Sequence, residues 1–184
     1  MSKLYSGLPA VHAARIRDLQ VPPLERFWSP DPSQTTRRCV LVHSDLHPNN
    51  LLLNEAGVWI LDWELAMAAD PIWEAAVSLH RTPWPDADSE AHAAAQWLDL
   101  LADTDAEDPA TLLDQYRMIE TWKSLLVDSW RFPVAIAADP DCLDARAKTF
   151  HSLLSAGSEN FGCVSLSIND VRTQPLDWAA DTPR

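Results

Sequence analysis

The chain of 184 residues carries 14 Lys and Arg against 27 Asp and Glu, a formal net charge of −13, with 47% apolar residues and nine Trp. That balance excludes a nucleic-acid binder or a protein docked on an anionic membrane, since both need a basic face, and the apolar fraction excludes a disordered acidic chain. Only four glycines occur, at 7, 57, 157 and 162, so there is no G-x-G-x-x-G loop, and Cys163 and Val164 follow Gly162 where a P-loop has Lys and Ser or Thr.

Val11, Ile16 and Leu19 stand near helical spacing and predict a short N-terminal helix that Pro22-Pro23 stops. A turn over Leu24 to Trp28 and a Pro-, Ser- and Thr-rich loop to about residue 37 follow. Cys39 to Val42 reads as a strand that runs directly into the polar loop His43-Ser44-Asp45-Leu46-His47-Pro48-Asn49-Asn50. Leu51 to Leu53 and Val58 to Leu61 are two apolar runs across Asn54-Glu55-Ala56-Gly57, which predicts a β-hairpin. The second strand ends on Asp62-Trp63-Glu64, and so delivers an acid beside the polar loop.

From residue 70 the chain reads as helical. Asp70-Pro71 is an N-cap followed by Pro at the first helical position, predicting a helix to about Leu79, and Asp108-Pro109 and Asp139-Pro140 repeat the signal. Ser89 is expected to cap a helix ending near Leu101. The helix from Pro109 carries an apolar stripe of Leu112, Leu113, Tyr116, Ile119, Leu126, Val127 and Trp130. The last helix is expected from about Asp141 to Gly157, with a loosely held polar tail beyond Phe161. Trp63, Trp73, Trp122 and Trp130 are expected in the core. The acids Asp86, Asp88 and Glu90, and Asp103, Asp105, Glu107 and Asp108, read as solvated faces, or as a negative rim that attracts a cationic substrate. The organisation expected is residues 1–37 as N-terminal helices and loop, 38–64 as catalytic loop and hairpin, 65–160 as helical subdomain and 161–184 as tail.

Cys39, Cys142 and Cys163 form no C-x-x-C pair, which suits a reducing compartment. The N-terminus lacks a signal-peptide core, and the longest apolar run, Leu65 to Ala69, is far short of the roughly 20 residues a membrane span needs. A cytoplasmic protein without membrane partners is expected.

The informative spacing is His43-x-Asp45-x-x-x-x-Asn50, then a hairpin, then Asp62. An H-x-D-x-x-x-x-N loop with a strand-end Asp is the arrangement that phosphoryl transfer uses: a carboxylate facing an acceptor hydroxyl, and hard oxygen donors for Mg²⁺. The stretch from His43 to Leu53, then Ile60-Leu61-Asp62-Trp63-Glu64, then Asp70-Pro71, resembles the aminoglycoside phosphotransferases and the related choline-kinase-like and fructosamine-kinase-like enzymes. The resemblance implies an α+β, mainly α-helical chain: the C-terminal lobe of a protein-kinase-like fold with a short catalytic-loop β-hairpin. It implies ATP and Mg²⁺ as cofactors and transfer of the γ-phosphate to a hydroxyl of a small molecule, an aminoglycoside-type antibiotic foremost. By its matched positions Asp45 is the catalytic base, Asn50 and Asp62 bind the metal and nucleotide, and His43 braces the loop; Ser44, His47, Glu64 and Glu74 surround them.

The family usually has Gly at the positions of Ser44 and Asn49, and an Asp that ties down the loop at that of Glu74. It also places a five-stranded lobe before the loop, for which the 42 residues ahead of His43 are too few, and Lys3 is the only lysine there. A complementing N-terminal lobe or a homodimer is therefore expected. Two other readings stand beside this one: a non-catalytic remnant or binding module of that fold, and a metal-dependent hydrolase in which alternating His43, Asp45 and His47 on a strand hold a transition metal with Asp62.

Overall fold

A computed structural model describes residues 9–28, 38–101 and 108–173. Lys3, the loop over 29–37, the acids Asp103, Asp105 and Glu107, and the tail beyond 173 lie outside the described residues. The elements run α1 (Ala10–Asp18), β1 (Val40–Val42), β2 (Leu51–Asn54), β3 (Gly57–Ile60), β4 (Met67–Ala69), α2 (Pro71–Arg81), α3 (Ala87–Leu100), α4 (Pro109–Ala138) and α5 (Leu143–Phe161). The chain is mainly helical with two small sheets, an α+β arrangement, and it divides into two units: Pro30–Glu120, and Met1–Ser29 with Thr121–Arg184.

The Pro30–Glu120 unit is built on two antiparallel strand pairs. β2 and β3 form the expected hairpin, with Leu51 opposite Ile60 and Asn54 opposite Gly57. β1 pairs with β4, Val40 opposite Ala69 and Val42 opposite Met67. Asp70 caps α2 by accepting the Ile72 N–H at 2.9 Å, Pro71 fills the first helical position, and the helix runs on to Arg81, two residues beyond the expected end. Ile72, Ala75, Ala76 and Leu79 bury one face of α2 against Leu113 of α4, each large aliphatic contributing about 1.5–3 kcal/mol on burial. α3 is capped by Asp86, which accepts the Ser89 N–H at 2.7 Å, so Ser89 lies inside the first turn and is not the cap. The Ser89 backbone N–H and then its hydroxyl hold the Asp86 carboxyl below the usual carboxylate range. Glu90 pairs with Arg117 of α4, and Asp108 caps α4 through Thr111.

The other unit packs α1, residues 121–138 of α4, and α5. Ile16, Leu19, Trp122, Leu125, Phe150 and Leu154 are its core, with Phe132 stacked on Phe150 at 4.9 Å between centroids and Trp122 Nε1 donating to the Pro22 carbonyl at 2.8 Å. The expected stripe of α4 is corrected here: Val127 and Trp130 are exposed, and Trp122, Leu125, Ser129, Phe132 and Ile136 are buried. Trp63 is also exposed, at 46%, so of the four Trp expected in the core only Trp122 is fully buried. α5 does not stop at Gly157. That glycine sits inside the helix where an added Cβ would lie 2.7 Å from Leu125 Cδ1, and the helix ends at Phe161 because Gly162 adopts the left-handed conformation at φ 69°. The segment beyond Phe161 is not loose as far as it is described, for Cys163 and Val171 are buried in this core and Val164 N–H donates to Leu19 O at 3.0 Å. Burial pushes the Cys163 thiol up. Among the described residues no helix is long and apolar enough to cross a membrane.

Candidate active site

The polar loop leaves β1 at Val42 and enters β2 at Leu51, so its two ends are fixed by different sheets. Between them the chain passes through Ser44 at φ 65°, a left-handed conformation that costs a non-glycine residue about 1–2 kcal/mol. Glu74 on α2 holds it there. Its Oε2 accepts the backbone N–H of His43 and that of Ser44, the latter at 3.2 Å. Glu74, Ser44 and His43 are all buried. Glu74 therefore reaches the loop and ties down its backbone.

Four hydrogen bonds close a circuit around the loop. His43 Nε2 donates to the Leu61 carbonyl at 2.7 Å, and Leu61 N–H donates to the Asn50 carbonyl at 2.9 Å. Asn50 Nδ2 donates to the Asp45 carbonyl at 3.0 Å, and Asp45 N–H returns to His43 Nδ1 at 3.3 Å. The circuit assigns one tautomer to His43, with the proton on Nε2. Both ring nitrogens are engaged, and the ring meets Trp63 edge-on at 4.9 Å. A three-residue helical turn, Pro48–Asn50, with Asn50 N–H on His47 O at 2.9 Å, brings the chain round to β2.

The hairpin register then sets the distal acid. Leu51 faces Ile60 and Asn50 bonds Leu61, so Asp62 stands one residue beyond Asn50's partner. Asp62 is exposed and left-handed at φ 63°, ψ 60°, a conformation that Asp tolerates, and its side chain caps nothing. Asn50 spends its amide nitrogen on Asp45, which leaves its oxygen as the acceptor. One amide oxygen and one carboxylate are hard donors of the type that Mg²⁺ takes together with phosphate oxygens and water.

The Asp45 side chain is half-buried and flanked on both oxygens: Arg81 Nη2 lies 3.3 Å from Oδ1 and His47 Nε2 3.6 Å from Oδ2. Glu64 is exposed on the turn after β3, and the loop's Asn49 is exposed as well. Arg81 is the site residue that sequence reading missed. Its signal was the seven-residue step from Glu74, which puts both on one side of a helix. The hydrolase reading fails on two counts. His43, Asp45 and His47 lie past the end of β1 and do not share a strand face, and no group of three His, Cys, Asp or Glu able to hold a metal exists among the described residues.

No curated protein and no solved structure matches the chain. A family model does, over residues 6–112, which include the whole loop, hairpin and α2. The match spans more than half of the sequence and contains Asp45, Asn50, Asp62 and Glu74: the chain belongs to the phosphotransferase enzyme family.

Proposed function

We propose that the chain is the C-terminal, kinase-like lobe of an ATP- and Mg²⁺-dependent phosphotransferase whose acceptor is a hydroxyl on a small, cationic molecule of the aminoglycoside type. The observation that supports the reading is the closed hydrogen-bonded circuit His43–Leu61–Asn50–Asp45, which ties Asp45 to Asn50 and both to the residue that precedes Asp62. When bound, Mg²⁺·ATP supplies the γ-phosphoryl group and the charge that neutralises its oxygens. Asn50 Oδ1 and the Asp62 carboxylate would hold the metal. Asp45 takes the proton of the acceptor hydroxyl as its oxygen bonds to phosphorus and the bond to the β-phosphate breaks. His43 keeps Asp45 and Leu61 in register through its two ring nitrogens.

The cationic acceptor is supported by the net charge of −13, which raises the local concentration of positive ligands. A complementing lobe is supported by the hairpin's surface. Leu52, Leu53, Val58, Trp59 and Ile60 are all 40–71% exposed, and a two-stranded hairpin with both faces in water is marginal alone. The reading is tested by acceptor-dependent ADP formation, with the complementing lobe co-expressed. Asp62→Ala is expected to abolish it at millimolar Mg²⁺, and activity that survives this change overturns the metal assignment.

A further inference from the structure

We propose that Arg81 is a positioning residue: it holds the Asp45 carboxylate in one orientation by charge and through it sets turnover, the second half resting on the function proposed above. Both backbone groups of Asp45 are already fixed, its N–H on His43 Nδ1 and its carbonyl on Asn50 Nδ2. What remains free is the side chain. Glu74 and Arg81 stand seven residues apart on α2, nearly two turns, so one side of a single helix engages the loop twice. Glu74 takes the backbone of residues 43 and 44, and Arg81 meets the side chain of residue 45.

The contact is electrostatic and not a fork of hydrogen bonds. Nη2 is 3.3 Å from Oδ1, yet Oδ1 accepts no hydrogen bond and Arg81 Nε donates none. With side-chain exposures of 21% for Asp45 and 31% for Arg81, the pair is less screened than one on open surface. His47 flanks the other oxygen from within the loop itself, which leaves Arg81 as the group on α2 that ties the carboxylate to the helical scaffold. Because charge and not planar geometry makes the contact, lysine is expected to replace arginine here, as it does not at bidentate sites.

The test uses the full chain and the couplings of Asp45 Cγ to its own backbone N and C′, which report the χ1 rotamer. Wild type and Arg81→Lys are expected to show one rotamer and Arg81→Gln an average, with slow amide exchange at His43 and Ser44 in all three as the control for folding. Averaging in wild type, or a single rotamer in Arg81→Gln, overturns the proposal. Should Arg81→Gln lose the amide protection, Arg81→Lys decides: one rotamer supports the proposal and an average overturns it. In the transfer assay Arg81→Gln is expected to lower kcat about tenfold to a hundredfold with KM for ATP within about twofold, and Arg81→Lys to recover most of it. An unchanged kcat in Arg81→Gln overturns the link to turnover. A wild-type chain that transfers no phosphoryl group counts against the proposed function, and the rotamer measurement still decides what Arg81 holds.

Discussion

Replacing Glu74 by Ala is expected to release the loop while leaving the helix that carries it intact. Two backbone N–H groups, of His43 and Ser44, lose a carboxylate acceptor in a buried place. Hydrogen bonds to a charged group are each worth about 1.5–3 kcal/mol, and the left-handed Ser44 that they hold carries about 1–2 kcal/mol of its own strain. The loop should therefore open locally with about 3–6 kcal/mol less protection. That is comparable to the whole stability of a small domain, of about 5–15 kcal/mol. Glu74→Gln keeps an oxygen for both donors and loses only the charge, so a change of about 1–3 kcal/mol is expected. Because the chain divides into two compact units, a single unfolding free energy is a poor readout, and residue-resolved amide exchange is the suitable assay. His43 and Ser44 amides should become fast in Glu74→Ala while those of Ala75 to Leu79 in α2 stay slow. Retained protection at both loop amides would refute the reasoning.

Gly157→Ala gains helix propensity of about 1 kcal/mol but drives a methyl to 2.7 Å from Cδ1 of the fully buried Leu125, an overpacking that costs about 1–3 kcal/mol. A net loss of about 1 kcal/mol in the opening free energy read by amide exchange at Leu125 and Leu154 is expected, and a gain would mean that Leu125 has room to move. His12 gives a pH dependence. Its imidazole is pushed below the ordinary value of 6.5 by burial, with the Leu126 carbonyl opposing and Arg15 adding to the shift. The unfolded chain therefore takes up a proton as pH falls through 6.5 that the folded chain refuses. Stability is lost from there downward and is flat above. The difference between wild-type and His12→Gln urea midpoints should change across pH 7.5 to about 5 in that direction; a pH-independent difference would show that His12 does not contribute.

The loop, the hairpin and the starts of α2 and α4 were legible because each is written in local chemistry. The turn Asn54 to Gly57, the Asp-Pro pairs at 70 and 108 and the spacing from His43 to Asp62 need no distant partner to be read. β4 was hidden because Met67, Ala68 and Ala69 show neither alternation nor a β-branched side chain, and only pairing with β1 makes them a strand. The stripe of α4 was misplaced in its second half, where Trp122, Leu125 and Phe132 are buried in place of Val127 and Trp130. Cys163 and Val171 are isolated apolar residues in a polar stretch, so periodicity had nothing to find. Within the site, Ser44 concealed a left-handed turn that Gly would have announced. The reach of Glu74 and Arg81 depends on how α2 docks, which no local pattern encodes.

The central claim of the proposed function is that Asp45 acts as the base when a phosphoryl group passes to an acceptor hydroxyl. Phosphorus NMR of the chain with ATP, Mg²⁺ and a panel of hydroxylated cationic acceptors, together with the complementing lobe proposed above, reads it directly. The account predicts a phosphate-ester resonance that grows with ADP, requires Mg²⁺, and slows by about a hundredfold or more in Asp45→Ala. Transfer at an undiminished rate in Asp45→Ala, or no ester from any acceptor with the loop amides still protected, would contradict it.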